Sequence, residues 1–238
     1  WLFNTAVIFP HLAVGPEWET SFVIVNMSTA SAQFNLGFFT TAGEPMTVRY
    51  VKSTGGAATT GAVLTETLAR GGSITVTVQD DGQPLRTGFA ILEPPSDEQR
   101  LGGYAVFRQR VAGRPDFEGV VPLSDYDDWA FYMPFNNSNG LDTGMALVNP
   151  SDSQTADGDL YFLDEAGVQI SKETLTLKPG EQTSFSLTTK YPVLGGKRGV
   201  LYGESLIDYL SVLGLRFNIG GGGAFTSLPV MNWSGMFP

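Results

Sequence analysis

Apolar and polar positions alternate along this chain in short runs, and each run stops at a cluster of Gly, Pro, Asp or Ser. "TAVIF", "TSFVIVN", "QFNLGFF", "MTVRYV", "GAVLTETL", "SITVTV", "TGFAILE" and "GYAVFRQRV" carry the pattern through the first half. Runs rich in Val, Ile, Thr and aromatics and bounded by such breakers predict strands joined by turns. Helical periodicity is nearly absent. The helix candidates are short, as around "LTTKYPVL", where Pro192 limits any helix to a turn or two because proline lacks the amide that a helix interior needs. The pattern predicts an all-β protein.

The pattern is also written twice. "IFPHLAVGPEWETSFVIVNMSTASAQFNLGFFTTAGEPM" in the first half matches "YMPFNNSNGLDTGMALVNPSDSQTADGDLYFLDEAGVQI" in the second. Pro10 pairs with Pro134, Thr20 with Thr143, Asn26 with Asn149 and Gly43 with Gly167. Further on, "LARGGSITV" answers "LKPGEQTSF", "RTGFAIL" answers "KRGVLYG", "GYAVFR" answers "VLGLRF" and "GVVPL" answers "TSLPV". A repeat of this length predicts two homologous units. The acidic "SDYDD" at 124–128 marks the join, so the expected domains are 1–124 and 125–238. Each has the length and about the seven strands of an immunoglobulin-like β-sandwich.

The order "FPH", "W.T", "VN", "GYAVFR" and "LGLRFN…FTSLPV" resembles tandem β-sandwich repeats of uncharacterised secreted proteins from soil bacteria. The resemblance covers nearly the whole chain. It implies a fold and an extracellular or cell-surface setting, and it carries over no catalytic residue.

Composition narrows the function. The 238 residues hold 14 Lys+Arg against 24 Asp+Glu, a net charge of −10, without a basic cluster to follow a phosphate backbone. Nucleic acid is not an expected partner. With no Cys there is no disulfide, thiolate nucleophile or zinc-thiolate site, and one His cannot build an imidazole metal cluster. HExxH, GxxxxGK[ST] and GxSxG are missing, and no apolar stretch reaches the roughly 18–20 residues of a membrane helix. A chain starting at Trp1 without Met reads as a processed protein or a piece of a longer one.

The repeat is an internal control: a residue kept in both halves serves the fold, and a site hides where one half differs. Asn26 and Asn149 each end a strand before a Ser-rich turn and are expected to cap their own backbone. Trp18 has the shape of a sugar-stacking platform, but Leu141 matches it, and an aliphatic side chain lacks a π-face. An apolar plug is the better reading. His11 aligns with Phe135 and is read as a loop residue outside any triad. Glycoside hydrolysis would need two carboxylates about 5–10 Å apart, and no motif singles out such a pair. Asp125, Asp127 and Asp128 are the best calcium candidates, ahead of "ADGD" at 156–159 and "QDDG" at 79–82, all three read first as solvated turns. "GGKRG" and "GGGG" read as turns, and the sequons at Asn26, Asn136 and Asn232 matter only in a glycosylating host.

The ends are apolar and aromatic, unlike the frayed termini of most free domains. Trp1, Phe3, Met231, Trp233 and Phe237 are candidates for adding a strand to a neighbouring domain or subunit, the alternative being that they fold back on their own sandwiches. The expected function is a non-catalytic exported structural or adhesive protein, self-assembling through its termini, with no cofactor. The alternatives are a carbohydrate-binding module, which needs two or three exposed aromatics in a row, with Trp1, Trp129, Trp233 and the tyrosines as candidates, and a hydrolase with a carboxylate pair.

Overall fold

The computed structural model describes residues 7–94, 100–124, 130–205 and 210–233, and its chain divides into two units, Trp1–Asp125 and Tyr126–Pro238. The first unit contains β1 (Val7–Val14), β2 (Trp18–Asn26), β3 (Ala32–Thr40), β4 (Val48–Lys52), β5 (Thr59–Gly61), β6 (Val63–Leu68), β7 (Ser73–Gln79), β8 (Arg86–Glu93), β9 (Leu101–Gln109) and β10 (Phe117–Pro122). The second contains β11 (Ala130–Asn136), β12 (Leu141–Val148), β13 (Ala156–Asp164), β14 (Gln169–Leu177), β15 (Gln182–Ser186), the one-turn helix α1 (Leu187–Lys190), a 3-10 turn over Pro192–Leu194, β16 (Arg198–Ser205), β17 (Ser211–Asn218), β18 (Ala224–Leu228) and β19 (Met231–Trp233). The protein is all-β. Each unit has more strands than the seven or so expected, because short edge strands are hard to see in the sequence.

Every strand pair is antiparallel, and the two units share one strand order. In the first, β6-β3-β8-β1 faces β4-β7-β2-β9-β10, with β5 outside β4; in the second, β14-β13-β16-β11-β19 faces β15-β12-β17-β18. The partner of β11 on its outer side, β19, has its counterpart in the two backbone bonds between Ile8 and Ser124. These are two β-sandwiches built on one plan.

Register carries the correspondence to single residues. Thr20 lies opposite Phe107 and Thr143 opposite Arg216; Phe9 lies opposite Ala90 and Met133 opposite Leu201. Between Phe9 and Leu12 the pairing of β1 with β8 slips by one residue, a bulge that β11 lacks. Leu12 therefore meets Gly88 as Phe135 meets Gly199. Both glycines are required by close approach: a Cβ on either would lie 1.9 Å from a carbonyl oxygen, of Phe39 or of Leu163.

In the first core Phe9 meets Phe22 edge-on at 5.0 Å and Phe22 tilts against Phe38 at 5.7 Å, with Tyr50 of β4 against Phe38 at 6.0 Å. In the second, Met133, Met145 and Phe162 occupy the matching positions, and Tyr191 packs on Phe162 at 4.6 Å. Tyr191, Leu187 and Leu194 come from α1 and the turn after it. Ser186 caps α1, its hydroxyl accepting from the Thr189 amide, and Asp142 in turn accepts from the Ser186 hydroxyl and from Thr188 Oγ1 at 2.9 Å.

Candidate functional site

Side chains common to the two units hold backbone. Asn26 is wholly buried; its Oδ1 accepts from the Ser28 amide at 2.8 Å, and its Nδ2 donates to the carbonyls of Ala30, Leu68 and Ala69 at 2.8–3.1 Å. Asn149 repeats the arrangement, accepting from Ser151 N at 3.0 Å and donating to Gln154, Leu177 and Lys178 at 2.8–3.1 Å. The Asx turn expected from sequence is present, and the amide also ties β2 to the end of β6, and β12 to the end of β14. Buried inside this network, the Asn26 sequon offers no free amide. Thr20 is the second shared clip: its hydroxyl accepts from Ala13 N at 3.0 Å and donates to Ala13 O at 2.8 Å, while Thr143 does the same with Asn136 at 3.1 and 3.4 Å.

The first unit differs from the second around His11. The β1 bulge makes His11 the inserted residue with no counterpart, which corrects its alignment with Phe135. It is a buried residue, not a loop residue, with its ring edge-on to Phe107 at 5.5 Å. Burial holds its pKa down to about 4, so it is neutral at pH 7. Trp18, half-buried, also stacks on Phe107 at 6.0 Å and 24°, which is the plug and not a free platform.

The second unit differs on the outer face of its five-stranded sheet. Residues of β13 and β16 alternate between core and solvent, with Tyr161, Tyr202 and Tyr132 directly opposite one another across three strands. Lys172 of β14 and Met231 of β19 extend this row at its two ends. Tyr132 and Tyr202 lie 4.8 Å apart, Tyr202 and Tyr161 5.7 Å, and the Lys172 ammonium sits 4.7 Å from the Tyr161 ring centre. A row of acids runs beside it. Asp159 lies opposite Glu204; the Tyr161 hydroxyl reaches Glu204 at 3.0 Å and Asp159 at 3.3 Å, and the Tyr202 hydroxyl donates to Glu204 at 2.8 Å. Lys172 binds Asp159 at 2.8 Å and holds its pKa below the usual carboxylate range, helped by Thr174; burial and then the Glu204 bond push the Tyr202 hydroxyl up.

The matching row of the first unit is Ile8, Ile91, Gly37 and Val63, with Ile8 and Ile91 only 1% and 5% exposed. Glu93 matches Glu204 and Asn35 matches Asp159. The fold therefore keeps a Glu here, and what is peculiar to the second unit is the tyrosines, Lys172 and the charge of Asp159. The sequence offers the tyrosines as candidates but does not assemble them into a row, because its members lie 29 and 41 positions apart; only register brings them together.

The remaining candidates separate. Asp125, Asp127 and Asp128 lie outside the described residues, and among the described residues no group of three metal-ligating side chains occurs. "ADGD" is part of β13 and not a turn, whereas "QDDG" is a turn in which Asp81 binds Arg86 at 2.6 Å. Trp1, Phe3, Trp129 and Phe237 lie outside the described residues. Met231 and Trp233 belong to β19, which pairs with β11 of its own unit, so strand addition by this segment is internal; Met231 remains 49% exposed. Asp159 and Glu204 form a close acid pair but lie on a sheet face, without the apolar pocket that raises a general acid. No helix among the described residues is long and apolar enough to cross a membrane. No protein-family model and no curated protein matches the chain.

Proposed function

We propose that this chain is a non-catalytic structural or adhesive β-sandwich protein of an extracellular or cell-surface setting, and that it works by presenting the outer sheet face of its second unit. The contrast inside the repeat carries this reading: polar side chains common to both units hold backbone, whereas the tyrosine row occurs once and faces solvent. The likeness to secreted soil-bacterial repeats supports the exported setting. Self-assembly through the termini rests on Trp1, Phe3 and Phe237, because β19 is already paired. Carbohydrate binding is a second reading, favoured by hydroxyls and carboxylates gathered in one row. Against it, the three rings pack against one another and Lys172 sits over Tyr161, so their faces are already engaged where a pyranose would stack.

Sedimentation velocity of the full chain over a wide concentration range, beside a variant lacking residues 234–238, tests the assembly part. Association that the truncation abolishes is expected; a monomer throughout leaves adhesion to a foreign partner. Turnover of a chromogenic glycoside, lost on Glu204→Gln, would overturn the non-catalytic reading.

A further inference from the structure

We infer that the outer face of the second unit's five-stranded sheet docks an extended segment of a partner protein that carries a basic side chain followed by apolar ones. This rests on the reading of that face as the protein's working surface. The face is graded in three rows. Thr174 and the acids Asp159 and Glu204 form a polar row; Tyr161, Tyr202 and Tyr132 form an aromatic row with Lys172 and Met231 at its ends; Leu163, Val200 and Pro134 form an aliphatic row. Glu204 and Val200 stand four residues apart on β16, about 13 Å at the usual strand rise. An extended segment spans that length in the same four residues, with alternate side chains facing the sheet.

Charge selects the occupant. Like charges directly opposite one another weaken a sheet, and here Asp159 faces Glu204. Lys172 answers Asp159, but among the described residues Glu204 has no basic partner and only the neutral hydroxyls of Tyr161 and Tyr202. Lys172 also shows the mode of recognition within the chain itself: an ammonium bound to a carboxylate and resting on a tyrosine ring. A cation from a partner can pair with Glu204 as Lys172 pairs with Asp159, and donate to the hydroxyl oxygens of Tyr161 and Tyr202 beside it. A second copy of this chain is a poor occupant of this face, because the charge left unanswered here has the same sign as the chain's net −10.

Titrating labelled full chain with the capped pentapeptide Arg-Ser-Val-Ser-Leu, followed by NMR, tests the inference. Its arms are Glu-Ser-Val-Ser-Leu, which keeps the apolar side chains, and spermine, which keeps the charge. Saturable shifts at Tyr132, Tyr161 and Tyr202 with the basic peptide alone are expected. Glu204→Gln should weaken binding about two- to fivefold, while Asp152→Asn, an equal loss of charge on an exposed turn, should not. Lys172→Met should tighten binding more than Lys178→Met does. No saturation, equal binding of the acidic peptide or of spermine, or equal effects of Glu204→Gln and Asp152→Asn would overturn it. If binding fails while concentration-dependent association persists, only this inference falls and the adhesive reading stands.

Discussion

The two units close the same end of the same core with different pieces of chain. In the first, the long connection after β3 returns as β4, and Tyr50 packs on Phe38. In the second, β13 turns straight into β14, and the chain supplies Tyr191 to Phe162 from α1 and the turn after β15. A buried aromatic position needs cover, and either a ribbon or a helical turn provides it. Fold requirements therefore fix the strands and the clips, and the units differ in connections and outward faces. The same contrast separates Ile8 and Ile91 from Tyr132 and Tyr202.

The largest effect should come from the shared asparagines. Asn26→Ala and Asn149→Ala each strand three backbone carbonyls and an amide in or near the core, at a cost of roughly 3–5 kcal/mol. Urea unfolding should show similar losses for both. A loss under about 1 kcal/mol in either unit would break the equivalence of the two clips.

These clips were legible in the sequence because each Asn ends an apolar run before a Ser-rich turn, and both copies agree. The all-β class and the brief helix before Pro192 were legible for the same local reasons. His11 was not. A bulge adds one residue without changing the pattern of types, so His11 was set against Phe135 when Leu12 holds that place. The tyrosine row was hidden too, since pairing between distant strands appears only in register.

The next effect separates the units by pH. His11 is held neutral with a pKa of about 4 against 6.5 when exposed, and the second unit has no counterpart. Between those values the unfolded chain binds a proton that the folded chain refuses, so stability falls as pH drops from about 6.5 to about 4. The part due to His11 reaches roughly 3 kcal/mol at the lower end. Comparing unfolding midpoints of the chain and of His11→Leu across that window isolates it from the carboxylates. Parallel curves would show that His11 contributes nothing to the pH dependence.

The smallest effect sharpens the comparison of the threonine clips. Thr20 makes bonds of 3.0 and 2.8 Å and Thr143 bonds of 3.1 and 3.4 Å. Thr20→Val should cost about 1–2 kcal/mol and Thr143→Val somewhat less. Equal or reversed losses by chemical denaturation would remove that ranking.

The division between fold-holding and working residues is tested most directly by one sample measured twice. In the full chain carrying Tyr132→Ser, Tyr161→Ser and Tyr202→Ser, denaturant unfolding and binding of the basic peptide are read side by side. A stability loss of about 1–3 kcal/mol, the scale of lost cross-strand pairs, is expected together with loss of binding. Binding that survives the triple substitution would take the tyrosine row out of the working surface, and a stability loss as large as that of Asn149→Ala would place it among the residues that hold the fold; either result contradicts the division.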